Sequence, residues 1–200
     1  MRVKETQVYQ FDELNEQAKE KAREWMRDGT CDDSYWYEST LEDFTTIAGY
    51  LGYAVKSDRV FFSGFSSQGD GACFEGTFRS EHLKLDQLIA YAPQDKELAR
   101  IGKELAGFIQ DHPHWYATIK HSGRYSHKYE TDFSCEELNS DDEDITEVKA
   151  EEEFIEISRD LMGWIYRQLE QEYDYQMSDE QIDETIKANE YEFTESGKRF

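Results

Sequence analysis

Residues 59–79 read Arg59-Val60-Phe61-Phe62-Ser63-Gly64-Phe65-Ser66-Ser67-Gln68-Gly69-Asp70-Gly71-Ala72-Cys73-Phe74-Glu75-Gly76-Thr77-Phe78-Arg79. Two aromatic-rich stretches, 59–65 and 72–79, flank a polar, glycine-rich segment. Runs of this kind bounded by Ser, Gly and Asp read as two strands joined as a hairpin. Alternation places Ala72, Phe74, Gly76 and Phe78 on one face, and Cys73, Glu75, Thr77 and Arg79 on the other. In the connection, Gly69 and Gly71 tolerate positive φ, and Asp70 can accept hydrogen bonds from the loop backbone. Gln68, Gly69, Asp70 and Gly71 are therefore one candidate functional loop.

A second hairpin is expected over 115–133, turning at Ser122-Gly123. A two-residue turn there sets Thr118 opposite His127, Lys120 opposite Tyr125 and Tyr116 opposite Tyr129. One face would then carry Tyr116, Lys120, Tyr125, His127 and Tyr129, with Trp115, Ala117 and Ile119 on the other. Such a face serves either as a recognition surface, where aromatics give contact area with little ordering loss, or as a layer packed beneath a helix with its hydroxyls paired.

Helical periodicity appears over about 14–28, 35–51 (stopped by Gly52), 83–91, 95–110 and 179–189, the last after the capping residue Ser178. The longest helix is expected at about 151–175, with Phe154, Ile157, Leu161, Trp164, Ile165 and Gln168 as its inner stripe. Short strands are read at 3–9 and 191–193. Antiparallel hairpins and helices without βαβ alternation imply an α+β fold, a sheet built from hairpins at about 59–79 and 115–133 and packed with several helices. With only Pro93 and Pro113 and no linker-like stretch, residues 1–200 read as a single domain with an acidic C-terminal third, 136–195.

No apolar run approaches the roughly 20 residues of a membrane helix, and the N-terminus lacks a signal-peptide pattern. Cys31, Cys73 and Cys135 are odd in number and widely spaced, as expected of free thiols in a reducing cytoplasm. His82, His112, His114, His121 and His127 complete no metal-binding spacing, so neither metal nor cofactor is expected.

The formal net charge is −23, and residues 136–195 hold 22 acidic against 4 basic side chains. Such a chain repels DNA and RNA phosphates and attracts basic protein surfaces. The candidate contacts are Glu136, Glu137, Asp141, Asp142, Glu143, Asp144, Glu147, Glu151, Glu152, Asp179, Glu180 and Asp183. Acids at the expected start of the long helix also favour its dipole. Asn139, Asp141 and Glu143 lack the central Gly and closing Glu of a calcium loop.

Gly69-Asp70-Gly71-Ala72-Cys73-Phe74 resembles the Asp-Gly-x-Cys signature of ovarian-tumour-type cysteine proteases. That resemblance implies Cys73 as nucleophile, with His121 or His127 as its base. The protease family places its Cys at a helix N-terminus, where the dipole lowers the thiol pKa. Here strand-like alternation follows Cys73, and Asp70 and Glu75 would raise it.

Three strings, Phe61 to Gly76, Gly123-Arg124-Tyr125-Ser126-His127, and Ala188-Asn189-Glu190-Tyr191-Glu192-Phe193-Thr194, resemble a family of small acidic proteins of tailed phages and prophages, loosely labelled antitoxin-like. The resemblance implies a phage-borne accessory protein acting in the bacterial cytoplasm. Joined to the charge, it leads to a non-enzymatic expectation. The chain binds and inhibits a basic, nucleic-acid-handling bacterial defence protein, with its acidic surface standing in for DNA and without contacting nucleic acid itself. The alternatives are an antitoxin-like protein that neutralises a toxin by shape, and a cysteine hydrolase using Cys73. The sequence does not set the oligomeric state.

Overall fold

The computed structural model describes residues 2, 5–31, 35–137 and 145–200; the side chains at 31 and 145–147 lie outside that description. The chain is α+β, with six α-helices and an antiparallel four-stranded sheet among the described residues. In chain order the elements are β1 (Tyr9–Gln10), α1 (Glu16–Cys31), α2 (Tyr35–Tyr50), β2 (Tyr53–Ser63), β3 (Gly71–Arg79), α3 (Leu85–Tyr91), α4 (Lys96–Asp111), β4 (Trp115–His121), β5 (Thr131–Glu137), α5 (Ile145–Gln176), α6 (Asp179–Ala188) and β6 (Glu192–Phe193). Two compact units emerge: Met1–Tyr37 with Gln171–Phe200, and Glu38–Glu170. Their boundaries fall inside α2 and α5, which is why no linker composition announces them in the single-domain reading.

In the unit spanning Glu38–Glu170 the strand order is β2-β3-β4-β5. β4 alternates as its sequence predicts: Trp115, Ala117 and Ile119 are buried, while Tyr116, Thr118 and Lys120 are not. The core is largely aromatic. Phe154 of α5 lies 4.8 Å from Phe78, 5.8 Å from Phe108 and 6.1 Å from Trp115, ring centre to ring centre. Rings bury much area each, so few residues close this core. Asp95 caps α4 by accepting the Leu98 N–H at 2.8 Å, and its other oxygen accepts the Trp164 indole N–H at 2.8 Å. Gly52 ends α2 with φ +89°, in a place where a Cβ would stand 2.8 Å from the Arg79 carbonyl oxygen.

Several boundaries differ from expectation. β2 begins at Tyr53 rather than 59, with a register irregularity between Val55 and Val60. It is an edge strand, so Lys56, Asp58 and Arg59 stay in solvent and the alternation signal fades. α5 begins at Ile145, before the expected 151. α1 continues through Gly29 to Cys31.

The second hairpin is corrected outright. β5 is Thr131–Glu137, and 122–130 form a long connection in place of a two-residue turn. Thr118 therefore faces Ser134, Lys120 faces Asp132 and Tyr116 faces Glu136. The reason is Glu130, whose carbonyl accepts the Ser122 N–H at 3.0 Å and whose carboxylate accepts the Arg124 N–H at 3.1 Å. These bonds close a wide loop and leave Tyr125, His127 and Tyr129 outside the ladder.

In the unit formed by Met1–Tyr37 and Gln171–Phe200, Phe11, Leu14, Ala18, Ala22, Ile182, Ile186 and Phe193 make the core. β1 pairs with β6, Tyr9 opposite Phe193. The predicted strand at 3–9 is thus Tyr9–Gln10 among the described residues; residues 3 and 4 lie outside them. Arg23 of α1 grips Asp183 of α6 with two bonds, 2.7 and 2.8 Å.

Candidate functional site

The two connections of the sheet, 64–70 and 122–130, meet. The Asp70 carboxylate accepts the Ser66 and Ser67 N–H groups at 3.0 and 2.6 Å, which holds the first loop in shape. Gly64, at φ +20°, leaves room for that carboxylate: a Cβ there would lie 2.7 Å from it. The Tyr166 hydroxyl donates to the Gly64 carbonyl at 3.0 Å, and the Phe65 and Tyr166 rings lie 5.5 Å apart. A Cβ on Gly71 would come within 2.7 Å of the His127 ring, and one on Gly69 would touch the Tyr125 ring at 3.7 Å. Gly71 is thus glycine for close approach; positive φ falls at Gly64 instead.

The second loop is ordered by its own contacts. His121 Nε2 and the Tyr125 carbonyl oxygen are 3.0 Å apart, and the His121 ring lies 4.9 Å from Phe61. His127 stacks on Tyr129 at 5.3 Å, and its Nδ1 accepts the Tyr129 N–H at 3.3 Å. The Tyr125 and Tyr129 rings remain 55% and 60% exposed. Arg124 lies over Tyr125 at 5.8 Å, while Arg159 and Lys128 lie over Tyr129 at 4.8 and 5.3 Å. Of the expected aromatic face, Tyr125, His127 and Tyr129 come together here. Tyr116 and Lys120 stay on β4, where the Arg79 guanidinium covers Tyr116 at 4.8 Å.

Docking of this loop also explains why alternation fails at the start of β3. Ala72, Cys73 and Phe74 are all buried, where alternation alone would leave Cys73 on the outer face. Burial pushes the Cys73 thiol up to about 12; a hydrogen bond from the His127 backbone opposes this, and Glu75 and Glu130 reinforce it. A reactive cysteine needs thiolate character and solvent access, and this one has neither. Cys135 is likewise pushed up to about 12 by burial, and both thiols are free. His112 Nδ1 lies 3.0 Å from Glu137. Among the described residues, no cluster of three or more His, Cys, Asp or Glu side chains is placed to hold a metal ion.

The expected acidic contacts divide by their partners. Glu137 is engaged by His112, Asp183 by Arg23 and Asp179 by Arg27. Glu136, Glu151, Glu152 and Glu180 form no ion pair with a described cation, and neither does the neighbouring Glu153. Because α5 starts at Ile145, Glu151, Glu152 and Glu153 sit beyond its first turn, where dipole stabilisation has largely faded. Asp141, Asp142, Glu143 and Asp144 lie outside the described residues, as does the Glu147 side chain. Sequence reasoning did not find Tyr166, Phe65 or Arg159 as parts of the loop cluster. Nothing in the sequence marks them beyond an aromatic or long side chain; their half-burial is seen in the fold.

These features define an α+β protein with a docked pair of hairpin loops and exposed carboxylates on β5 and α5. The chain belongs to the family described as domain of unknown function DUF8835, whose model matches residues 36–179. No curated protein and no solved structure matches it. No helix among the described residues is long and apolar enough to cross a membrane.

Proposed function

We propose that this chain is a non-catalytic binding protein that engages a basic, nucleic-acid-handling bacterial protein through carboxylates on β5 and α5, in place of DNA phosphates. The observation that supports the reading is the split among its acids. Glu136, Glu151, Glu152 and Glu153 form no ion pair with a described cation in a chain that pairs many of its other carboxylates, and dipole stabilisation does not account for Glu151 to Glu153. Like charge concentrated in one stretch of chain is relieved when a cationic surface approaches. The phage-borne, cytoplasmic setting rests on the three resembling strings. The buried, weakly acidic Cys73 gives a hydrolase no support.

A second reading, the antitoxin-like one, is favoured by a different observation. Tyr125 and Tyr129 stand exposed on an internally braced loop, each beside a cation, which suits recognition by shape. Affinity capture from bacterial lysate separates the two. A charge-driven partner is retained at low salt and released at high salt; a partner held by the tyrosine loop survives both and is lost with Tyr125→Ala and Tyr129→Ala.

A further inference from the structure

In the unit formed by Met1–Tyr37 and Gln171–Phe200, a cleft of about 480 Å3 is lined by Lys21, Trp25, Ser196, Gly197, Lys198 and Arg199. It lies outside the segment matched by the family model. Lys21 and Trp25 are one helical turn apart on α1, so they share a face. The opposite wall is the turn after β6. That turn is closed by the Gly197 N–H to the Thr194 carbonyl and the Thr194 N–H to the Lys198 carbonyl, both at 2.9 Å. Gly197 has φ +84°, and a Cβ there would stand 2.1 Å from the Ala18 carbonyl oxygen. The turn is therefore packed directly on α1. Arg199 is fixed by donating to the Glu192 carbonyl at 3.0 Å and by lying over the rings of Tyr191, at 4.7 Å, and Trp25, at 5.7 Å.

The charge of this cleft runs against the rest of the molecule. The sequence holds 45 acids against 22 Lys and Arg. Lys19, Arg23 and Arg27 on the same helix are all paired with carboxylates. Lys21 and Lys198 pair with no described carboxylate, although acids are abundant, while Arg199 Nη1 donates to the Glu192 carbonyl and to the Phe200 main-chain oxygen. Two unpaired lysines beside the Arg199 guanidinium, around one concavity, favour an anion. Trp25, 37% exposed at the cleft, adds a ring surface. The volume falls in the range of small-molecule sites, and a ring beside clustered cations matches a planar base carrying a phosphate.

We propose that this cleft binds a mononucleotide, with its phosphate on Lys21, Lys198 and Arg199 and its base against Trp25. The test is calorimetric titration of the full chain at low ionic strength with AMP, inorganic phosphate and adenosine. AMP should bind with a submillimolar Kd, and phosphate at least ~10-fold more weakly, the base contact being worth at least one tenfold step. Adenosine should give no signal. Lys21→Gln with Lys198→Gln should weaken AMP by ~10-fold or more while leaving the melting temperature unchanged, because both side chains are exposed. Lys21→Gln alone gives the same direction should the double variant melt lower. Absence of AMP binding at millimolar concentration, or an unaltered Kd in the variants, overturns the proposal. Phosphate binding as tightly as AMP overturns the nucleotide assignment and makes the cleft a plain anion site.

Discussion

Gly71 of β3 lies against His127 of the 122–130 loop, so close that a Cβ would stand 2.7 Å from the ring and 3.2 Å from the Ser126 carbonyl oxygen. Gly71→Val should therefore separate the two loops. Overpacking of this kind costs ~1–3 kcal/mol, a fall in Tm of several degrees for a chain of this size. Gly69→Ala meets only ordinary contact at 3.7 Å and should leave Tm nearly unchanged. Thermal melts of the two variants check the pair.

Tyr53 and Ser158 share a buried hydrogen bond of 2.9 Å, and the Ser158 hydroxyl also donates to the Phe154 carbonyl at 2.9 Å. Their variants should be unequal. Tyr53→Phe leaves Ser158 satisfied by Phe154 and should cost about 1 kcal/mol. Ser158→Ala strands the Tyr53 hydroxyl and should cost more, ~1–3 kcal/mol. Denaturant unfolding of both reads the order.

Cys73 and Cys135 should label slowly with iodoacetamide at neutral pH in the folded protein and rapidly in urea. The alkaline limb follows from the same burial. Both thiols titrate higher folded, at about 12, than the ordinary value of 9.0. Their contribution is complete below pH 9.0, declines above it as the unfolded chain loses protons first, and is gone above the folded value. Tyr53, also raised by burial, acts in the same direction. Tm should fall from pH 9 toward pH 11, and less steeply in Cys73→Ala with Cys135→Ala.

Asp183→Asn should lower stability by ~1–3 kcal/mol, since it weakens a charged, two-bond contact with Arg23. It should not alter partner binding. Differential scanning calorimetry together with partner affinity distinguishes this acid from Glu152, whose neutralisation should leave Tm unchanged.

Much of this architecture is legible in residue spacing. Phe154, Ile157, Leu161, Trp164 and Ile165 mark the inner face of α5, and all are buried. Trp115, Ala117 and Ile119 mark the inner face of β4. The first half of β2 was not legible, because Lys56, Asp58 and Arg59 on an edge strand obey solvent rather than alternation. Ser122-Gly123 looks like a tight turn, but the Glu130 contacts that widen the loop appear only once β4 and β5 pair. The Gly69-Asp70-Gly71 signal was visible and its reason was not, since Gly71 answers to His127, more than fifty positions away. Likewise nothing local distinguishes Asp183 from Glu180; Arg23, on α1, makes the difference.

Recognition is proposed to run through Glu136, Glu151, Glu152 and Glu153, which form no ion pair with a described cation. The most direct measurement is the association rate with the captured partner as a function of salt, for the wild-type chain and for Glu136→Gln, Glu151→Gln, Glu152→Gln and Glu153→Gln combined. Wild-type association should fall steeply with salt and, at low salt, association should be ~10-fold slower in the variant with dissociation little changed. Equal association rates for the two proteins, flat across salt, would contradict this.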